Sequence, residues 1–129
     1  MHWSGWIVVM LGVFLGGWLV FDGTWAITVG DYVTPQSGAY VGQLGPWSRL
    51  VTAVGIEPRS SLMKGIHVAL GFLWLATVIC FALCIPGAWW GVIACAIASL
   101  WYLPFGTLIG VVQVMLLLLM PLLSSGRCV

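Results

Sequence analysis

Formally charged side chains are scarce in this sequence of 129 residues. Lys, Arg, Asp and Glu make up only 5% of it, whereas they account for about 25% of a typical soluble domain. A soluble domain could not cover its surface with so few charges, and the mean hydropathy is high, at +1.14. The composition therefore predicts an integral membrane protein whose main solvent is the lipid bilayer. A net charge of +1 without a basic cluster argues against nucleic acid as a partner.

The sequence also lacks the residue sets that carry most enzyme chemistry. It offers no Ser/His/Asp set, no carboxylates paired at a useful spacing and no His/Cys cluster for a metal. In addition, the predicted mid-membrane parts of the chain hold no Asp, Glu, Lys or Arg, although proton-coupled pumps and exporters need an ionisable group there. We therefore expect a protein that is not an enzyme, and coupled transport is disfavoured.

Long apolar runs fill most of the chain and predict an all-α membrane protein with four transmembrane helices in a single domain, 1–129. The predicted spans are 3–21, 64–85, 88–103 and 105–123. The first two runs are long enough to cross a hydrocarbon core of roughly 30 Å at about 1.5 Å per residue. One helix over 88–123 would be about 54 Å long, too long for a bilayer unless it is steeply tilted. A turn at Pro104-Phe105-Gly106 is therefore expected to divide that stretch into two helices.

The stretch 22–63, between the first two predicted spans, holds most of the charge and is predicted to form an ordered cap. Residues 24–33 mix β-branched and aromatic side chains, which favours a short strand or an extended interfacial segment. Residues 34–38 have the composition of a turn. Residues 46–54 place their apolar side chains at helical spacing, which predicts a short amphipathic helix on the membrane surface or on the end of the bundle.

His67 is the candidate cofactor ligand, because imidazole commonly binds haem iron or chlorophyll magnesium. It lies about one turn into the second predicted span, beside Lys64. The simpler interpretation is a histidine that forms hydrogen bonds near the membrane interface, and we favour it. The sequence does not identify a cofactor.

Small residues at four-residue spacing predict close helix packing in several spans. The predicted packing residues are Gly12, Gly16, Gly106, Gly110 and Gln113. Glycines spaced in this way let two helix backbones approach, and an amide facing lipid would leave its hydrogen bonds unmade. A stripe that accommodates a pigment, a quinone or a lipid tail is the alternative.

Four segments of the sequence resemble those of small uncharacterised bacterial four-helix membrane proteins. The segments are GDYVTP, GQLGPWSRLV, GIEPRSSLMK and LWYLPFGT. This resemblance implies a multi-pass protein of the bacterial inner membrane with the same layout, and it implies no activity. Three Lys or Arg residues lie on the side of the cap and one, Arg127, lies on the side of the termini. This distribution favours an orientation in which the cap faces the cytoplasm.

The function favoured by the sequence is a non-enzymatic accessory or scaffold subunit of a larger membrane protein complex. The spans lack charge, and the aromatic-rich cap offers a docking surface, for which we select Trp47, Arg49 and Leu50. The second hypothesis is a binder of a hydrophobic cofactor or lipid, such as a pigment, quinone or haem held by His67 and the glycine-lined helix faces. A small channel or transporter is the third.

Overall fold

The computed structural model describes residues 3–32, 44–102 and 105–123, with side chains described as far as Leu119. Within these residues the chain is entirely helical, which confirms the predicted all-α class. The five helices are α1 (Trp3–Val29), α2 (Trp47–Ala53), α3 (Ser61–Ala82), α4 (Ala88–Ala98) and α5 (Phe105–Leu123). Two of them, α1 and α3, are long and apolar enough to cross a membrane. Because α4 and the described part of α5 are shorter apolar helices, four spans remain a prediction.

Helix α1 extends eight residues beyond the predicted end of the first span. The expected strand or extended segment at 24–33 is wrong, because the helix continues to Val29. It ends at Gly30, whose φ of 105° suits glycine and whose N–H donates to the carbonyl oxygen of Ala26 at 3.0 Å. The charge of Asp22 does not end the helix, since this side chain lies inside the protein, only 3% exposed. Tertiary packing thus overrides the strand preference of the β-branched residues.

Helices α1 and α3 pack so closely that their backbones touch at glycines. A Cβ atom added at Gly16 would lie 2.9 Å from the carbonyl oxygen of Gly71 and 2.7 Å from the Cβ of Trp74. A Cβ added at Gly71 would in turn lie 2.7 Å from the carbonyl oxygen of Gly16. Gly12 faces the side chains of Val78 and Trp74 in the same contact. We call Gly12, Gly16 and Gly71 the glycine seam.

The hairpin of α4 and α5 uses the other predicted packing residues. Gly106 faces the backbone of Ser99, and a Cβ atom at Gly110 would lie 2.9 Å from the carbonyl oxygen of Ala96. Gln113 is fully buried, and its Nε2 donates to the carbonyl oxygen of Val8 at 3.0 Å, which ties α5 to α1. The two glycine contacts thus close the hairpin itself, and the Gln113 hydrogen bond connects it to the α1–α3 pair.

The short helix predicted at 46–54 is confirmed as α2, and the predicted turn at 34–38 lies outside the described residues. Only half of the apolar stripe of α2 is buried, because Trp47 and Val51 are 4% and 5% exposed whereas Leu50 and Val54 are 42% and 69% exposed. The chain then enters α3 through Ser60, whose hydroxyl accepts the N–H of Met63 at 3.2 Å as an N-cap. The cap therefore has an apolar inner face and a partly apolar outer face.

Candidate functional site

A cluster of aromatic and polar side chains is enclosed beneath α2, where α1, α3 and the turn after α4 meet. We call it the cap cluster, and its members are Asp22, Tyr32, Trp47, His67, Trp101 and Tyr102. Five of the six are at most 4% exposed, and Trp101 is half-buried. The cap cluster is the one place in the described structure where ionisable groups from three separate segments are buried together. It is therefore the candidate functional site.

His67 forms the centre of the cap cluster. Its ring lies 4.7 Å from the ring of Trp47, 4.9 Å from Tyr32, 5.4 Å from Trp101 and 5.5 Å from Tyr102, measured between centroids. A haem or chlorophyll macrocycle bound to this histidine would require several of these rings to leave. The residues present therefore do not fit such a group, which was the less favoured of the two interpretations of His67.

The hydrogen bond of His67 defines which ring nitrogen carries the hydrogen. Its Nδ1 lies 2.9 Å from the carbonyl oxygen of Met63, one turn earlier in α3. A carbonyl oxygen can only accept, so Nδ1 is the donor, and the Nε2 of the neutral ring presents a lone pair. This Nε2 is buried and has no hydrogen-bond partner among the described residues. The sequence predicted a hydrogen-bonded histidine near the interface, and only one of its two nitrogens matches that description.

A hydrogen-bonded chain of side chains leads to the buried carboxylate of Asp22. The Nε1 of Trp18 donates to the hydroxyl oxygen of Tyr102 at 2.8 Å, and the Tyr102 hydroxyl is hydrogen-bonded to Asp22. Since a carboxylate accepts, the phenol is the donor in this second bond. Asp22 therefore belongs to the interior of the bundle and not to a solvated loop.

Tyr32 closes the cap cluster from the end of α1. Its hydroxyl is buried without a hydrogen-bond partner in the described parts of the chain. Burial, followed by the negative charges of Asp22 and Asp31, raises the pKa of the Tyr32 phenol above its ordinary range. Tyr32 therefore stays protonated at neutral pH and keeps a hydrogen to donate inside the cluster.

Two polar contacts join the segments that flank α2, on the outside of the cap cluster. The Nε of Arg59 donates to the Oδ1 of Asp31 at 3.0 Å, and the two side chains are 46% and 45% exposed. The Nζ of Lys64 donates to the carbonyl oxygen of Gly30 at 3.0 Å. Both contacts connect the end of α1 to the start of α3, and both are exposed.

An apolar groove runs beside the cap cluster. It has a volume of about 340 Å³ and is lined by Leu50, Val51, Val54, Ile56, Met63, Ile66 and Trp101. Trp101 also contacts the ring of His67, so the groove and the cap cluster share a wall. The groove opens along the outer face of α2, where an apolar group from outside the protein can reach it.

The structure separates the three residues selected for partner docking. Arg49 and Leu50 lie on the exposed face of α2, whereas Trp47 is only 4% exposed. The position of Trp47 is a correction to the sequence interpretation, because its ring fills the space beside His67 and is not available to a partner. No group of three or more His, Cys, Asp and Glu residues that could hold a metal occurs within 3–32, 44–102 and 105–119.

Sequence reasoning missed four members of the site, namely Asp22, Tyr32, Trp101 and Tyr102. The predicted first span ends at residue 21, just before the charge of Asp22, although the spacing of Leu15, Leu19 and Asp22 continues one helix face. That spacing was the available signal. The positions of the two tyrosines depend on how the turn after α4 and the end of α1 fold back, and no local pattern reveals that.

Comparisons with known proteins leave the function to be argued from this geometry. No family model matches the chain, and neither a curated protein nor a solved structure is significantly similar to it. The resemblance to small bacterial four-helix membrane proteins therefore remains an expectation from the four sequence segments.

Proposed function

We propose that this chain is a multi-pass protein of the bacterial inner membrane that serves as a non-enzymatic accessory subunit of a larger membrane complex. Its α2 side faces the cytoplasm in this proposal, as the Lys and Arg distribution favours. The outer face of α2 and the adjoining groove form the surface that receives the partner. The observation that carries the proposal is this exposed apolar face of α2, whose opposite face is buried.

The distribution of polarity supports the membrane part of the proposal. Large apolar side chains on the outer faces of the long helices are exposed, among them Met10 at 69%, Phe72 at 58% and Leu118 at 59%. In contrast, His67 and Gln113 are fully buried. A protein in water has the opposite arrangement, since an extended apolar surface would drive it to associate. Lipid is the solvent that such a surface suits.

The surface of α2 supports the docking part of the proposal. Val54 is 69% exposed and Leu50 is 42% exposed, and both line the apolar groove. Arg49 is exposed on the same helix and adds a positive charge at the edge of this surface. An apolar centre with Arg at its rim is a common composition of protein interfaces. The partner expected here is a membrane protein that inserts an apolar side chain into the groove.

Site-specific photo-crosslinking in the native membrane tests this proposal. A photoreactive amino acid at Val54 should yield one discrete protein adduct, and Leu50→Asp in the same chain should abolish it because it places a charge in the groove. The matched control is the same probe at Leu118, which is similarly exposed on α5 and should yield lipid adducts only. Before crosslinking, the chain should resist extraction from membranes by alkaline carbonate. Extraction, or equal protein adducts at both positions, would contradict the proposal.

The groove itself favours a second candidate function, the binding of one hydrophobic small molecule. Its lining is apolar side chains throughout and its volume is about 340 Å³, which suits an acyl or isoprenoid chain better than the macrocycle that His67 cannot accommodate. The crosslinking experiment separates the two candidates. A small-molecule adduct at Val54 that Leu50→Asp removes, without any protein adduct, would favour the ligand over the partner subunit.

A further inference from the structure

The cap cluster has hydrogen-bonding capacity that its described contacts do not use. The Nε2 of His67 and the hydroxyl of Tyr32 are both buried without a partner in the described segments, and their rings are only 4.9 Å apart between centroids. Buried polar atoms are almost always satisfied, because an unsatisfied one destabilises the fold. Two such atoms in one cluster indicate that a small polar species completes the site.

The lone pair on Nε2 defines the chemistry of that species. Because Nδ1 donates to the carbonyl oxygen of Met63, Nε2 is an acceptor in the neutral ring, and accepting a proton is the reaction that an imidazole performs near neutral pH. The aromatic surroundings suit the positively charged imidazolium that forms when Nε2 accepts a proton. The rings of Trp47 and Trp101 lie 4.7 and 5.4 Å from the imidazole, measured between centroids. Aromatic rings within about 6 Å of a cation attract it.

The carboxylate of Asp22 lies in the same enclosure and supplies a negative charge. Tyr102 connects the two groups, because its ring is 5.5 Å from that of His67 and its hydroxyl is hydrogen-bonded to Asp22. The backbones also converge here. A Cβ atom at Gly23, the residue after Asp22, would lie 2.9 Å from the Cβ of His67. Tyr102 thus links His67 and Asp22 within one buried enclosure, and ionisable groups linked in this way can influence each other's protonation.

We propose that the cap cluster is a buried proton-binding site in which His67 and Asp22 take up protons as one coupled pair. A proton from the aqueous side adds to the Nε2 lone pair or to an Asp22 carboxylate oxygen, and the charge of the cluster rises by one. Tyr32, whose ring lies 4.9 Å from that of His67 between centroids, supplies a hydroxyl that can hold a water in the same enclosure. This proposal is independent of the docking function, because it concerns the interior of the cap and not its outer face.

The elements that pack against this pair carry other ionisable side chains, and most of these lie outside the cluster. Tyr32 comes from the segment after α1 and Tyr102 from the turn after α4, whereas Arg59 and Asp31 pair outside the cluster. Lys64 in α3 is directed to the carbonyl oxygen of Gly30. Helix α2 contributes the indole of Trp47 to the interior, and its Arg49 is exposed. The two tyrosines are thus the titratable groups that share the enclosure with His67 and Asp22 in the described residues.

The chain offers a simple spectroscopic test, because His67 and His2 are its only histidines. We would label histidine with ¹⁵N, place the full-length protein in lipid nanodiscs, and follow both imidazoles by NMR as the pH is changed. His67 should show the tautomer with hydrogen on Nδ1. Its titration midpoint should move by at least about half a pH unit in Asp22→Asn, because coupled groups titrate together. His2 serves as the internal reference and should not move.

Asp31→Asn is the matched control, since it removes a carboxylate that lies outside the cluster and is 45% exposed. This substitution should leave the titration midpoint of His67 unchanged. If Asp22→Asn does not fold, Tyr102→Phe replaces it, because this change removes the connecting hydroxyl and keeps the ring. An unchanged His67 midpoint in the folded variant, or equal displacement by Asp31→Asn, would overturn the proposal. A His67 that does not titrate before the protein unfolds would also overturn it.

Discussion

The glycine seam and the cap cluster both involve α1 and α3, but the two regions are packed in opposite ways. In the seam, α1 and α3 touch through Gly16 and Gly71. A Cβ atom added to either glycine would lie only 2.7–2.9 Å from the carbonyl oxygen of the other. In the cap cluster, α1 and α3 contribute one ionisable side chain each, and the large rings around them come from the segment after α1, from α2 and from the turn after α4. Lipid gives little hydrophobic driving force for helix association, so a seam depends on close backbone contact. A cluster of rings depends on shape and on satisfied hydrogen bonds.

This difference suggests a division of roles along the helix pair. The seam leaves no space and offers no reactive group, so its contribution is stability. The cap cluster contains His67 and Asp22 and has unused hydrogen-bonding atoms, so it is where chemistry can occur. Substitutions in the two regions should therefore differ in kind as well as in size.

The largest effect is expected from Trp47→Ala in the cap cluster. Removing this 4%-exposed indole leaves a cavity beside His67, and truncations of this type cost about 3–5 kcal/mol. Helix α2 should detach while α1 and α3 stay packed, so amide hydrogen exchange in α2 should accelerate by at least about 100-fold. Hydrogen–deuterium exchange with mass spectrometry measures this change.

Leu50→Ala on the outer face of α2 is the control for the detachment of α2. Because this side chain is 42% exposed, the substitution should change the free energy of opening of α2, as obtained from hydrogen exchange, by less than about 0.5 kcal/mol. Equal acceleration in Leu50→Ala and Trp47→Ala would show that α2 is not held by its indole.

Gly16→Val tests the seam, with Gly17→Val as a neighbour on the same helix. A side chain at Gly16 meets the backbone of Gly71, whereas a Cβ at Gly17 has no atom within 4 Å. Overpacking should lower the unfolding free energy by about 1–3 kcal/mol at Gly16 and by less than about 0.5 kcal/mol at Gly17. Unfolding in mixed micelles with increasing SDS, followed by circular dichroism, gives both values. Similar losses at the two positions would contradict the described α1–α3 contact.

The smallest effect is expected at the ion pair of Asp31 and Arg59. Both side chains are almost half exposed, and exposed pairs contribute about 0–1 kcal/mol. A double-mutant cycle with Asp31→Ala and Arg59→Ala should give a coupling energy in that range, and added salt should reduce it. A coupling of several kcal/mol would mean that charge holds the cap, rather than its aromatic interior.

Part of this architecture was predictable from local patterns. The start of α3 follows from Ser60 as an N-cap, and α2 follows from the apolar spacing after Pro46. The seam glycines of α1 stood out through their four-residue spacing. The end of α1 was not predictable in this way, because a charge in an apolar run normally marks a boundary. Asp22 is an exception that depends on the distant Tyr102.

The sequence by itself determined the all-α class, the apolar character of the long helices and the place of the amphipathic helix. These properties follow from composition and periodicity, which act over neighbouring residues. Only the tertiary structure decided that Trp47 faces inward, that Asp22 is buried and that His67 is enclosed by four rings. Each of these depends on which segments meet at the cap, and contacts between residues as distant as Trp18 and Tyr102 leave no local pattern in the sequence.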